Sequence, residues 1–339
     1  MPVPVQPLKA FAAAAIALEL DSTTIAAGAL LMAASMAILA ATGAAGWLAQ
    51  RFPLVLVRGI QASVALLLVK AAIELAERGN WTGLPPIDPT AGVAMAICAC
   101  GLLFAARSAR LPATLMVLTA GATVGLAVGG LPAGIHPGAE AISVSIPDGA
   151  AFATALTALV IAQIPLTFGN SVVATADAER SYFGARAERV RPNRLAASIA
   201  LINTGAGLIH GMPACHGAGG VTAHYRLGAR HAIGTASCGA LLIVLGVALG
   251  DSLPALLRLI APGALAGMLL FVAIEHGLLA ASLERLSDRA LAATVGLVTL
   301  VSGNLAIGFG FGVLVLLVRA ARARISRPAQ PRSVPTAAA

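Results

Sequence analysis

Charge is scarce in this chain. Only 11% of its 339 residues are Asp, Glu, Lys or Arg, against about 25% in a soluble domain. Hydrophobic residues make up 58% and the mean hydropathy is +0.90. This excludes a water-soluble domain and points to an all-α polytopic membrane protein in a lipid bilayer. Aromatics are also few, at 4%, so the helices must pack through Ala and Gly rather than large rings. The four cysteines (Cys98, Cys100, Cys215, Cys238) have no metal-ligand spacing. They read as core packing, with Cys98 and Cys100 pointing different ways on a helix. The chain contains no HExxH, GxSxG or paired-Asp arrangement, which argues against an intramembrane enzyme. No cofactor or metal is expected. The net charge of +8 is spread along the loops, so no nucleic-acid partner is expected either. The start of the chain lacks the pattern of a cleavable signal peptide.

What is present is a series of apolar stretches near 7–19, 24–48, 54–76, 91–107, 111–131, 151–176, 195–211, 214–229, 231–250, 254–280, 288–302 and 304–319. A full crossing needs about 20 residues. Four stretches are short, and short interrupted segments point to the central site of a transporter. Basic residues alternate between loops. Arg51, Arg107, Arg110, Arg180, Arg186, Arg189, Arg191, Arg194, Arg226, Arg230, Arg285, Arg289, Arg319, Arg322, Arg324, Arg327 and Arg332 fall on one side. The opposite loops hold Arg78 in 77–90 and none in 132–150. That bias makes the first side cytoplasmic, with the C-terminus on it. The expected organisation is one transmembrane domain over 1–320 and a basic, Pro/Ala-rich disordered tail over 321–339.

Three regions put polar groups where lipid would reject them. Residues 211–230, GMPACHGAGGVTAHYRLGAR, interrupt apolar sequence with Pro213, Cys215 and His216, and Gly217, Gly219 and Gly220 allow close backbone approach. Irregular backbone at this depth survives only where it lines a cavity or is buried in protein. A break that opens a new helix presents unpaired N–H groups, which suit an anion. The chain start, MPVPVQPLKA, has a similar layout: Gln6 at a helix N-terminus and Pro7 in its first turn. Pro4-Val5-Gln6 can be laid over Pro213-Ala214-Cys215, as an inverted repeat predicts. In QIPLTFGNSVVATADAE, residues Gln163, Thr167 and Asn170 stand at i, i+4 and i+7 on one helical face, with Ser171 beside them. Their amides and hydroxyls offer uncharged hydrogen bonds; the competing use is to join helices.

Charged intramembrane candidates are few. Glu275 and His276 fall inside 254–280 and could carry a coupling proton. Lys9 could attract an anion. Arg58, with Gln61 three residues on, could pair with a helix end rather than touch substrate. His210, His224 and His231 flank the break without zinc spacing.

QIPLTFGNSV and GMPACHGAGGVTAHYRLGAR, with VRGIQ at 57–61 and PVPVQPLKA at 2–10, resemble the signature stretches of the molybdate-transporter branch of the sulfate permease superfamily. The resemblance runs to about residue 320. It implies an inverted-repeat (7+7-type) transporter with substrate between two opposed half-helices. Gln6 and Cys215-His216 would sit at those half-helices, and Gln163 to Ser171 would line the facing helix. In that family the stretch resembling PVPVQPLKA opens the third segment. About twelve segments are therefore expected here, the first two being absent through an internal start codon or truncation. The implied activity is secondary transport of a tetrahedral oxyanion, molybdate or sulfate, proton-coupled, in a bacterial inner membrane. Alternatives are a nucleobase or organic-anion carrier of the same architecture and a truncated, non-transporting protein. A homodimer is left open.

Overall fold

The computed structural model describes residues 1–339 except 9–10, 13, 16–17, 78–87, 107–112, 132–134, 137, 140–141, 143, 258 and 326–339. Lys9, Arg78, Arg107, Arg110, Arg327 and Arg332 lie outside the described residues.

The chain is an all-α multi-pass membrane protein. Among the described residues, five helices are long and apolar enough to cross a bilayer: Ser22–Ala41, Leu54–Glu77, Ala232–Leu249, Pro262–Ser282 and Leu305–Arg322. A bent pair, Gly149–Val160 with Gln163–Arg189, adds a sixth if counted as one span. Pro89–Ala105 and Ala113–Gly129 are shorter apolar helices.

Local sequence explains the places where expected runs break. The 24–48 run divides at Gly43, whose φ of 73° ends one helix and starts Ala44–Arg51. The 254–280 run divides after Leu257, and Pro262 opens the next helix at its first turn. Toward the C-terminus, Leu305–Ile325 continues past residue 320, so the first residues assigned to the tail are helical. The long 151–176 segment is a series of α-helical and π-helical turns, with π turns at Leu156–Val160 and Thr167–Ala174 and Pro165 between them. Proline removes an N–H from the ladder, and the segment bends by 53°.

Small residues set the packing. A Cβ on Gly263 would lie 2.6 Å from the Gly92 carbonyl oxygen, and one on Gly267 would lie 2.6 Å from that of Ala96. Helices Pro89–Ala105 and Pro262–Gly277 therefore meet backbone to backbone, as the shortage of aromatics requires. One core cluster joins Leu8, Phe11, Met32, Met36, Leu159, Val172 and Ile199. Another joins Leu68, Leu103, Val117, Phe271 and Val272. The cysteines divide: Cys100 and Cys215 are buried, but Cys98 and Cys238 are exposed. Core packing is thus wrong for the last two, which stand on faces presented outward.

Two short strands complete the fold, β1 (Val5–Pro7) and β2 (Ala214–His216), paired antiparallel with Val5 opposite His216, Gln6 opposite Cys215 and Pro7 opposite Ala214. The Leu8 N–H extends the ladder to the Pro213 carbonyl at 3.0 Å. Pro7 therefore stands in a strand rather than in the first turn of a helix. Pairing the two irregular stretches with each other satisfies backbone groups that neither could satisfy alone in lipid.

Candidate functional site

β1 and β2 meet at a cavity of about 580 Å³. Its polar lining comes from Gln6, Gln163, Asn170, Ser171, Cys215 and Asn304, with the backbone of Gly219 and Gly220. Its apolar wall comes from Val64, Leu67 and Leu68 of the Leu54–Glu77 helix and from Leu269 and Val272. Among the described residues, none that lines it carries a charge.

The cavity is built around two helix N-termini. Beyond β2, Gly217 is the N-cap of helix Ala218–Arg226 and contributes no side-chain hydrogen bond. The first bond of that helix runs from the Val221 N–H to the Gly217 carbonyl at 3.1 Å. The N–H groups of Ala218, Gly219 and Gly220 come before it and have no partner within the helix. A Cβ on Gly217 would overlap the Gln6 amide, so only glycine lets β1 lie this close. Beyond β1, the first helical bond is from the Ala12 N–H to the Leu8 carbonyl at 2.8 Å. Just inside that turn the Phe11 N–H donates to Gln163 Oε1 at 3.0 Å. Each helix mouth is thus met by a glutamine amide, Gln163 at one and Gln6 at the other. Gly219 and Gly220, in the first turn of helix Ala218–Arg226, bring the positive end of its dipole to this space.

The remaining expected residues divide. Gln163 Nε2 donates to the Thr167 hydroxyl at 3.1 Å; Thr167 is buried behind the lining and fixes the glutamine. Asn170 Oδ1 is buried without a hydrogen-bond partner among the described residues. The π turn holding it is closed by a bond from the Thr175 hydroxyl to the Asn170 carbonyl at 3.0 Å. Cys215 faces the cavity, and the strand alternation sends His216 to the other side. There its Nδ1 lies 3.2 Å from the Pro4 carbonyl and its Nε2 3.0 Å from the Ser198 hydroxyl. A carbonyl only accepts, so Nδ1 carries the hydrogen and, in the neutral ring, Nε2 accepts from Ser198. His216 therefore ties the strand pair to its surroundings.

Glu275 and His276 lie apart from the cavity, and both are fully buried. Glu275 Oε2 is 2.8 Å from Arg226 Nε, and His276 Nδ1 is 2.7 Å from the Thr222 hydroxyl, which also contacts the Tyr182 hydroxyl at 3.0 Å. Both are thereby fastened to the helix that starts at the site. Arg58 forms an ion pair with Asp177, and its Nη1 donates to Gln61 Oε1 at 2.8 Å.

Two contributors were not singled out from the sequence. Asn203, fully buried, donates from Nδ2 to the Ala214 carbonyl at 2.9 Å and accepts the Ala214 N–H at 2.8 Å. Its amide acts as a third strand at the edge of β2. Asn304 lines the cavity from the break between the last two helices. The Ser302-Gly303-Asn304 interruption was the available signal for it.

Comparison with known proteins was made with this geometry in hand. A family model described as "Molybdate transporter of MFS superfamily" matches residues 155–275, the stretch that includes Gln163 to Ser171, β2 and Glu275. Molybdate transporter 2 of Arabidopsis thaliana is 27% identical over 370 residues, covering 94% of this chain and 76% of that protein. Molybdate transporter 1 of Chlamydomonas reinhardtii is 40% identical over 161 residues, 46% of this chain and 30% of its own length. Molybdate transporter 1 of A. thaliana is 32% identical over 158 residues, covering 47% of this chain and 34% of that protein. Across the segments that build the cavity, the chain is similar to proteins named molybdate transporters.

Proposed function

We propose that this protein is a secondary transporter for a tetrahedral oxyanion, molybdate or its analogue sulfate, working by alternating access. The observation that carries the proposal is a cavity with no charge among its described lining, at which helix Ala218–Arg226 begins and the amides of Gln6 and Gln163 converge. The helix dipole end supplies about half a positive charge, and free N–H groups, amides and hydroxyls supply directional bonds. A nucleobase carrier would need a side chain that reads ring nitrogens, and the lining has no carboxylate. The meeting of β1 with β2 also supports two inverted repeats of the sulfate-permease kind.

Uptake of a dianion into a negative interior costs about 2.3 kcal/mol per charge per 100 mV, so the transport is proton-coupled in this proposal. Glu275 and His276 are the proton-coupling pair, since both bond to helix Ala218–Arg226. The single transmembrane domain has its C-terminus on the cytoplasmic side of a bacterial inner membrane. Helix caps support this orientation. Asp21, Asp88 and Asp148 cap helices that start from loops poor in basic residues. Arg191, His231 and Arg285 stand at the N-cap of helices that start from the basic side.

Uptake of molybdate into proteoliposomes under an imposed proton gradient tests the proposal. Accumulation that excess sulfate reduces and excess uracil does not is the expected result. No accumulation above empty liposomes would overturn it.

A further inference from the structure

A second cavity, of about 800 Å³, lies farther along the helix that carries Asn170. Asn170 and Ser171 line the first cavity, while Val173, Ala176, Asp177 and Arg180 line the second. Successive turns of one helix thus pass from one to the other. Val57 and Val173 of the second cavity's wall pack with buried Ile60 and Ala174.

The second cavity differs from the first in its charge. Arg180, Arg191 and Arg194 all line it. Arg191 is tethered by a bond from its Nε to the Glu188 carbonyl at 3.0 Å. The side chains of Arg180 and Arg194 make no hydrogen bond or ion pair among the described residues. Asn193 Oδ1 accepts the Gly46 N–H at 2.6 Å, which leaves Nδ2 to donate. Two carboxylates also line the space, Asp177 and Glu188. Asp177 is held by Arg58, so its charge does not oppose an anion there. The balance of the lining is positive.

We propose that this outer cavity is a second oxyanion site, at which the same free ion rests on Arg180, Arg191 and Arg194 on its way to or from the inner cavity. The assignment rests on the oxyanion reading of the inner cavity. The two sites bind by different means. A helix N-terminus and uncharged amides hold the ion inside. Exposed guanidinium groups hold it outside, so outer binding weakens with added salt over a Debye length of about 10 Å at 0.1 M.

The test counts molybdate bound to the full chain in nanodiscs of zwitterionic lipid. Two equivalents are expected, one tight and one weak and salt-sensitive. In the R180Q/R194Q double variant the weak equivalent should weaken about tenfold for each arginine removed, as loss of a hydrogen bond to a charged group predicts. The tight equivalent should persist in that variant and should weaken in N170A, which keeps the weak one. A double variant that binds both equivalents with unchanged salt dependence would overturn the outer site. Loss of the weak equivalent from the unmodified chain in nanodiscs containing phosphatidylglycerol would also overturn it, by making a lipid headgroup the occupant. Absence of any tight, Asn170-dependent equivalent counts against the inner-cavity reading alone and is scored separately from the arginine-dependent one.

Discussion

Gln163 Oε1 accepts the backbone N–H of Phe11 at 3.0 Å, across 152 residues of sequence. One amide thereby fixes the helix that follows β1 to the helix that carries Asn170, and its other end is taken up by Thr167. Gln163→Leu should orphan the Phe11 N–H and cost about 1–3 kcal/mol of stability. Oxyanion binding should fall by about tenfold or more. Gln163→Glu keeps the acceptor and adds a negative charge at the cavity, so it should hold the helix but weaken binding further. Titration of molybdate, with thermal unfolding of the same samples, separates the two effects.

Neighbouring glycines should respond unequally. A Cβ on Gly217 would overlap the Gln6 amide, whereas one on Gly219 meets Val64 Cγ1 at 3.4 Å and Leu68 Cδ1 at 3.6 Å, ordinary contacts. Gly217→Ala should displace Gln6 and reduce uptake severalfold, while Gly219→Ala should leave the fold unchanged. Equal losses in the two variants would show that Gln6 is not held by this close approach.

Asn203 is the side chain on which β2 depends most directly. Asn203→Leu fills similar volume but leaves the Ala214 N–H and carbonyl without their partner. About 1–3 kcal/mol should be lost, and the midpoint of thermal unfolding should drop accordingly. Asn203→Asp still accepts from Ala214 but sets a buried carboxylate oxygen against its carbonyl, so it should be at least as damaging.

Arg58 and Asp177 join the Leu54–Glu77 helix to the site-bearing helix. Arg58 is 7% exposed. Arg58→Gln should leave Asp177 as an uncompensated negative charge beside the outer cavity and lower uptake. Restoring neutrality with Asp177→Asn in the same chain should recover part of the loss. A double-mutant cycle measures that coupling.

Strong acid should weaken the helix caps. Hydrogen bonds from the Thr24 side chain and backbone hold the Asp21 carboxyl below its ordinary value of 3.8, and Thr90 does the same for Asp88. A lowered carboxyl stabilises the fold fully above the ordinary value and loses that contribution as pH falls below it. Asp21→Asn with Asp88→Asn should therefore flatten the acid limb of thermal stability and leave the neutral range nearly unchanged.

How much of this could be read from the chain differs residue by residue. The break at 211–230 was legible because proline, histidine and several glycines cannot lie unpaired in hydrocarbon, and the likeness of Pro4-Val5-Gln6 to Pro213-Ala214-Cys215 marked the two strands. Their pairing with each other was not legible, nor was the side each residue faces. Strand alternation alone separates Cys215, at the cavity, from His216, which bonds Pro4 and Ser198. Asn203 passed unnoticed because a lone amide on a helix looks the same whether it joins two helices or edges a strand. The spacing put Gln163, Thr167 and Asn170 on one face, but only Gln163 and Asn170 line the cavity; the Thr167 hydroxyl is taken by Gln163 Nε2.

The strand pair also sets an order of events during synthesis. Val5 to Pro7 acquire backbone partners only when residues 214 to 216 arrive, and Phe11 is capped only by Gln163. Until then the first extended stretch has unmet hydrogen bonds that hydrocarbon cannot satisfy. It must therefore wait in contact with water, at the membrane surface or in the insertion machinery. Residues 5 to 7 precede their partners by about two hundred residues and are among the last to reach their final depth.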